Sequence, residues 1–215
     1  MIFPRPLAYP LLISAAVVVV CLAWIPFADP DQLSALAVVV AGIVGYTAYR
    51  VAVALGRPLP RTSGPVTVRR VRQQYRLLSR SWLELDDGER KRHLPVYFDP
   101  ALIGLVESEA RIRDGRIMLG RLRIYPAGRI RQTEPPGRLI DNPSRPFPDA
   151  TQRAAAAVRI RRRLLLDAQP AVAAPFAGLL WVYVVGGGAA AFVGASCVAA
   201  AATVWLSAIR GSDPS

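Results

Sequence analysis

The chain has 215 residues, 53% of them hydrophobic, with 27 basic side chains against 15 acidic ones and a formal net charge of +12. One histidine and two cysteines leave too few ligands for a zinc cluster or a disulfide framework. The apolar residues crowd both ends, and every basic residue except Arg5 and Arg210 lies between Arg50 and Arg163, so a soluble domain with an evenly spread core is excluded.

Residues 10–55 form an apolar run broken once, at Pro26-Phe27-Ala28-Asp29-Pro30-Asp31-Gln32. At a rise of about 1.5 Å per residue, about 20 apolar residues cover the ~30 Å hydrocarbon layer of a bilayer. Each limb therefore predicts a membrane-crossing helix, over about 8–27 and 32–55, and residues 1–57 read as a first transmembrane hairpin. Pro10 falls in a first helical turn, where proline is tolerated. Tyr9 and Trp24 stand near the helix ends as interfacial anchors. A cleaved signal peptide fits poorly, because a second apolar limb follows the first at once.

The turn carries Asp29 and Asp31, whereas the second limb runs into Arg50, Arg57 and Arg61. The positive-inside bias then sets the turn outside, with both termini and the middle of the chain in the cytoplasm of a cell bounded by its plasma (inner) membrane. Arg50 lies close enough to the helix end to snorkel to the interface. With only Lys91 among the lysines, and much Ala, Val, Gly and Pro, the composition is that of a GC-rich bacterial genome.

Residues 58–65 read as a linker and 66–148 as a basic β domain. Trp82-Leu83-Glu84-Leu85, the Asp86-Asp87-Gly88 turn and residues 90–98 predict a hairpin. Residues 99–106 fit one or two helical turns or an irregular crossing. Residues 110–113, Asp114-Gly115 and 116–125 repeat the hairpin pattern, and Pro126-Ala127-Gly128 turns the chain into 129–131. Five or six short strands point to a small antiparallel barrel or sandwich. In Arg111-Ile112-Arg113 and Arg121-Leu122-Arg123-Ile124 the arginines take one face and the aliphatics the other. Residues 132–148, rich in Pro, Gly, Asn and Ser, read as an irregular loop around that domain.

Residues 149–169 predict a juxtamembrane basic helix. Its Arg153, Arg159, Arg161, Arg162 and Arg163 are candidate contacts for anionic phospholipid, where each base near the surface is worth about 1 kcal/mol. Residues 170–210 predict a second transmembrane hairpin turning at Gly186-Gly187-Gly188, the alternatives being one tilted helix or a helix plus a re-entrant piece. Residues 211–215 are a tail. The fold class is thus four transmembrane helices in two hairpins with an inserted small antiparallel β domain. Cys21 and Cys197 fall inside the apolar segments as small apolar groups.

Membrane helices pack through small residues. Ala37, Ala41 and Gly45 form one such row at four-residue spacing, and Gly186, Ala190 and Gly194 another, fit for packing within this chain or against a second membrane protein. The helices lack the mid-membrane ionisable groups that a self-sufficient ion or proton transporter uses. His93 stands alone, no Gly-x-Ser-x-Gly turn or phosphate-cradling loop occurs, and Glu84, Asp86 and Asp87 are turn formers, so no catalytic residue, metal or cofactor is expected. The arginines call for an anionic partner: the inner leaflet, an acidic cytoplasmic subunit such as an ATPase, or nucleic acid, for which no aromatic-interleaved signature is present.

The hairpin plan, with Arg5-Pro6-Leu7-Ala8-Tyr9-Pro10, Trp82-Leu83-Glu84-Leu85 and Leu94-Pro95-Val96-Tyr97-Phe98-Asp99-Pro100, resembles small actinobacterial multi-pass membrane proteins, among them an accessory subunit of the mycobacterial Mce lipid importers. The resemblance implies a non-enzymatic subunit beside the permease subunits of an ATP-driven, ABC-type lipid importer, and implies no functional residue. The expectation is an accessory or scaffold subunit of a membrane transport complex. The alternatives are a membrane-anchored basic domain that binds anionic lipid or nucleic acid, and a membrane-associated enzyme.

Overall fold

The computed structural model describes residues 5–56, 65–88, 90–113, 116–142 and 148–215. The predicted linker up to residue 64, Arg57, Arg61 and the Asp114-Gly115 turn lie outside them. Among the described residues four helical runs are long and apolar enough to cross a membrane: Arg5–Phe27, Pro30–Gly56, Ile160–Val185 and Gly188–Ile209, with mean hydropathies of 2.4, 1.8, 1.5 and 1.9.

Helix α1 (Arg5–Ala23) ends in a 3-10 turn, Ile25–Phe27, and α2 (Pro30–Gly56) follows. Pro30 opens α2, where its missing N–H costs nothing, and Asp29 Oδ1 accepts from the Gln32 amide at 2.8 Å. Tyr9, Ile13, Val17 and Cys21, one stripe of α1 at four-residue spacing, bury against Ile43 of α2 and Trp205, Ala208 and Ile209 near the end of α6 (Gly188–Ile209).

The third run differs from expectation. In place of one basic helix over 149–169 there are two, α3 (Ala150–Ala157) and α4 (Ile160–Asp167), parted where Arg159 turns extended at ψ 121°. A 3-10 segment, Gln169–Ala173, then joins α4 to α5 (Ala174–Val185). Twelve residues of α5 rise only about 18 Å, too little to span a bilayer. The run of spanning length therefore starts at Ile160, earlier than the expected 170. Gly186, Gly187 and Gly188 separate α5 from α6 at φ of 87°, 95° and 65°, conformations that only glycine adopts freely.

Between α2 and α3 lies an antiparallel half-barrel of β1 (Val66–Tyr75), β2 (Leu78–Asp86), β3 (Lys91–Val96), β4 (Glu107–Arg113), β5 (Arg116–Leu119), β6 (Leu122–Ile124) and β7 (Arg138–Asp141). The strand order is β3-β2-β1-β4-β5-β6, with β7 pairing β1 beyond the β4 register. The predicted β2–β3 hairpin is present, with Asp86 Oδ1 accepting from the Gly88 amide at 2.9 Å and Asp87 Oδ1 from that of Arg90 at 2.8 Å. Residues 116–125 are two strands rather than one, because Gly120 at φ 56° folds β6 back on β5. Residues 125–131 return to the free edge of β3, where His93 and Arg131 exchange backbone hydrogen bonds at 2.8 Å. The inner faces contribute Val66, Val68, Leu83, Leu85, Leu94, Val96, Ala110, Ile117 and Ile124 to one core.

Candidate functional site at the helix and sheet junction

Three groups of contacts lock the helix ends to the half-barrel. Leu7, Ala54, Tyr97 and Ala127 form a buried cluster, and the Tyr97 hydroxyl donates to the Ile209 carbonyl at 2.8 Å. Burial pushes the Tyr97 phenol above its usual range. Arg50, near the end of α2, donates to the Ala127 carbonyl and, at 3.3 Å, to the Tyr46 hydroxyl. Residues 211–214 are buried against β1 and β2. The Asp213 amide donates to the Ser79 carbonyl at 2.9 Å, and Arg70 Nη2 reaches Asp213 Oδ2 at 2.8 Å. Burial works to raise the Asp213 carboxyl, but Arg70, Arg72 and the Ser81 hydroxyl outweigh it and hold it below the usual carboxylate range.

Beside this lock is a cavity of about 500 Å³ on which five arginines converge. Arg50 comes from α2, Arg76 from the β1–β2 turn, Arg80 from β2, Arg131 from the strand-like return and Arg210 from the cap of α6. Among the described residues none of the five has a carboxylate within ion-pair distance, whereas Arg69, Arg70, Arg92 and Arg153 all do. Burial, then the charges of Arg50 and Arg210, bring the Arg80 guanidinium down to about 10. Nε of Arg50, Nε of Arg80 and Oε1 of Gln73 are buried there without a hydrogen-bond partner. Arg76 holds φ 56°, and it alone among the described non-glycine residues takes a positive φ. The helix side of the cavity is one stripe of α6, Thr203, Leu206, Ser207 and Arg210, together with Pro170.

The residues expected from sequence fall elsewhere. Ala37, Ala41 and Gly45 are exposed on α2, and nothing lies within 4 Å of a Cβ built on Gly45. Gly194 meets the Trp24 ring, its added Cβ falling 3.3 Å away, while Ala190 is exposed and Gly186 ends α5. Ala190 and Gly194 also line an apolar groove of about 490 Å³ with Trp24, Phe27 and Trp181. The tight α5–α6 crossing is instead at Gly178, whose added Cβ would collide with Ser196 and lie 2.9 Å from the Phe192 carbonyl.

Of the expected lipid-contact arginines, Arg159 and Arg161 are exposed, Arg153 pairs with Asp149 at 2.8 Å, and Arg162 Nε donates to the Pro214 carbonyl at 3.0 Å. Arg163 departs from that set. It is buried over the Tyr9 ring at 3.7 Å, and the Tyr9 hydroxyl donates to Asp167 at 2.7 Å, so its charge faces the interior. His93 is buried with Glu84 Oε2 at 3.8 Å, and Glu84 also meets Lys91 at 3.3 Å. Sequence reasoning missed the five-arginine cavity, because its members are spread over 160 positions and only folding gathers them. Compared with known families, curated proteins and solved structures the chain matches none, so the geometry of the junction itself supports the functional reading.

Proposed function

We propose that the protein is a non-enzymatic accessory subunit of the plasma (inner) membrane. It crosses the bilayer as two helical hairpins, holds its termini and half-barrel in the cytoplasm, and uses the junction cavity to bind an anionic group. The observation that carries this reading is the meeting of Arg50, Arg76, Arg80, Arg131 and Arg210 around one cavity without a paired carboxylate among the described residues. Uncompensated cations concentrated in a half-enclosed space raise the local concentration of anions. The acidic Asp29 and Asp31 belong to the opposite helix ends, in keeping with a cytoplasmic half-barrel.

Single-cysteine labelling tests the topology. With Cys21 and Cys197 replaced by alanine, Arg90→Cys is expected to resist a membrane-impermeant maleimide in intact cells and Asp31→Cys to react. The reverse pattern would put the half-barrel outside and remove the proposal.

A second reading rests on α2. The exposed Ala37, Ala41 and Gly45 offer a smooth helix face to a partner helix, and the resemblance to the Mce accessory subunit suggests permease subunits of a lipid importer as that partner. Native mass spectrometry after mild extraction checks this, and a monomer free of any membrane partner would count against it.

A further inference from the structure

We infer that the junction cavity takes the phosphomonoester headgroup of an anionic lipid, whose chain lies along the Thr203 and Leu206 stripe of α6. The inference rests on the proposed membrane insertion and names the ligand of the proposed anion site.

The chemistry of the head follows from the donors. A guanidinium presents a planar fork that matches phosphate oxygens two at a time, and it cannot shed its proton to relieve crowding as lysine can. Five such groups around about 500 Å³ exceed what a single carboxylate can satisfy. A phosphomonoester, with three terminal oxygens and close to two charges, accepts from several of them at once.

The source of the phosphate follows from the walls. Thr203, Leu206, Ser207 and Arg210 lie at i, i+3, i+4 and i+7, one face of α6 running from its cap about 10 Å back into the apolar run. The Thr203 hydroxyl donates to the Ala200 carbonyl and that of Ser207 to the Thr203 carbonyl, so neither has a proton left to donate to a phosphate oxygen. The stripe thus turns from charged to hydrocarbon-like along its length, as a lipid does. A nucleotide fits less well. Of the two aromatic residues of the lining, Trp82 is buried, and both it and Tyr75 already carry a guanidinium, Arg131 at 5.9 Å and Arg76 at 5.4 Å, with which a base would have to compete.

The test uses the full chain in nanodiscs. Phosphatidic acid doped into phosphatidylcholine discs is expected to raise the melting temperature and to be retained in native mass spectra, whereas phosphatidylcholine alone does neither. Arg131→Gln with Arg210→Gln, both at exposed positions, should weaken that retention about tenfold or more, since each removes a charge-assisted hydrogen bond. Arg159→Gln with Arg161→Gln should leave it unchanged. A second arm offers glycerol 3-phosphate to the detergent-solubilised protein. Binding as tight as that of phosphatidic acid would identify a soluble phosphate ester and overturn the lipid assignment. Equal loss in both arginine pairs would reduce the effect to surface charge and also overturn it. Arg131→Lys with Arg210→Lys keeps the charge at these exposed positions and guards against a folding artefact, as it should retain the lipid preference in weakened form. The labelling map reads the membrane proposal separately: an inner half-barrel without phosphatidic acid preference sinks this inference alone.

Discussion

Arg70 occupies an inward position of β1, in line with Val66 and Val68, where an aliphatic side chain would continue the strand's pattern. Its charge is balanced by Asp213, with Arg70 Nε donating to Ser81 at 3.1 Å and Ser81 in turn to Asp213. Removing one member of a buried pair leaves the other unpaired, so Asp213→Ala should cost about 3–5 kcal/mol, while Arg70→Met with Asp213→Leu should recover much of it. Thermal melts of these two variants beside the parent protein in detergent would show this. The pH response follows from the depressed Asp213 carboxyl. A depressed carboxylate contributes stability above its unfolded value of about 3.9 and loses it as the pH falls through the lower folded value. The melting temperature should therefore be level from pH 7 to 5 and drop below about 4, with a shallower drop in Asp213→Asn. None of this was legible in the sequence, because the partners lie 143 positions apart and each alone reads as an ordinary solvated residue.

At the level of elements, periodicity and turn residues revealed more. The apolar limbs, the Asp-Gly turn before β3 and the alternation in β4 and β6 each reported a local preference that the fold keeps. The third helical run of spanning length reaches back to Ile160 and so overlaps the stretch expected as a basic juxtamembrane helix, where Arg161, Arg162 and Arg163 give the sequence a polar appearance. Only packing turns Arg163 inward onto Tyr9 and lets the helical run continue from there. The small-residue rows illustrate the same limit, since spacing identifies a smooth face without saying what covers it. Substitution separates a covered small residue from an open one. Gly178→Leu must push α5 from α6 and should cost about 1–3 kcal/mol or more. Gly45→Leu meets open space and should leave stability within about 0.5 kcal/mol. Thermal melts check both, and a loss of co-purifying partner in Gly45→Leu with an unchanged melt would assign the α2 face to docking.

Across the whole molecule, the helices and the half-barrel depend on each other rather than being joined as separate domains. The residues after α6 bury Arg70, the Tyr97 hydroxyl caps the Ile209 carbonyl, and Phe98 and Ile103 pack under Ala157 of α3. A half-barrel cut out as 65–148 would strip Arg70 of Asp213 and of the segment that covers it, and would expose Tyr97, Phe98 and Ile103 to water. Each loss is of the order of 1–3 kcal/mol, comparable in sum with the 5–15 kcal/mol that stabilises a typical domain. That fragment should therefore fail to give a dispersed amide spectrum, and fusing residues 209–215 to it through a flexible linker should restore part of the dispersion. A well-dispersed spectrum from 65–148 alone would mean that the sheet folds independently and merely rests on the helices. The junction cavity would then be a seam between two bodies, and its five arginines would lose the fixed geometry on which the anion site depends.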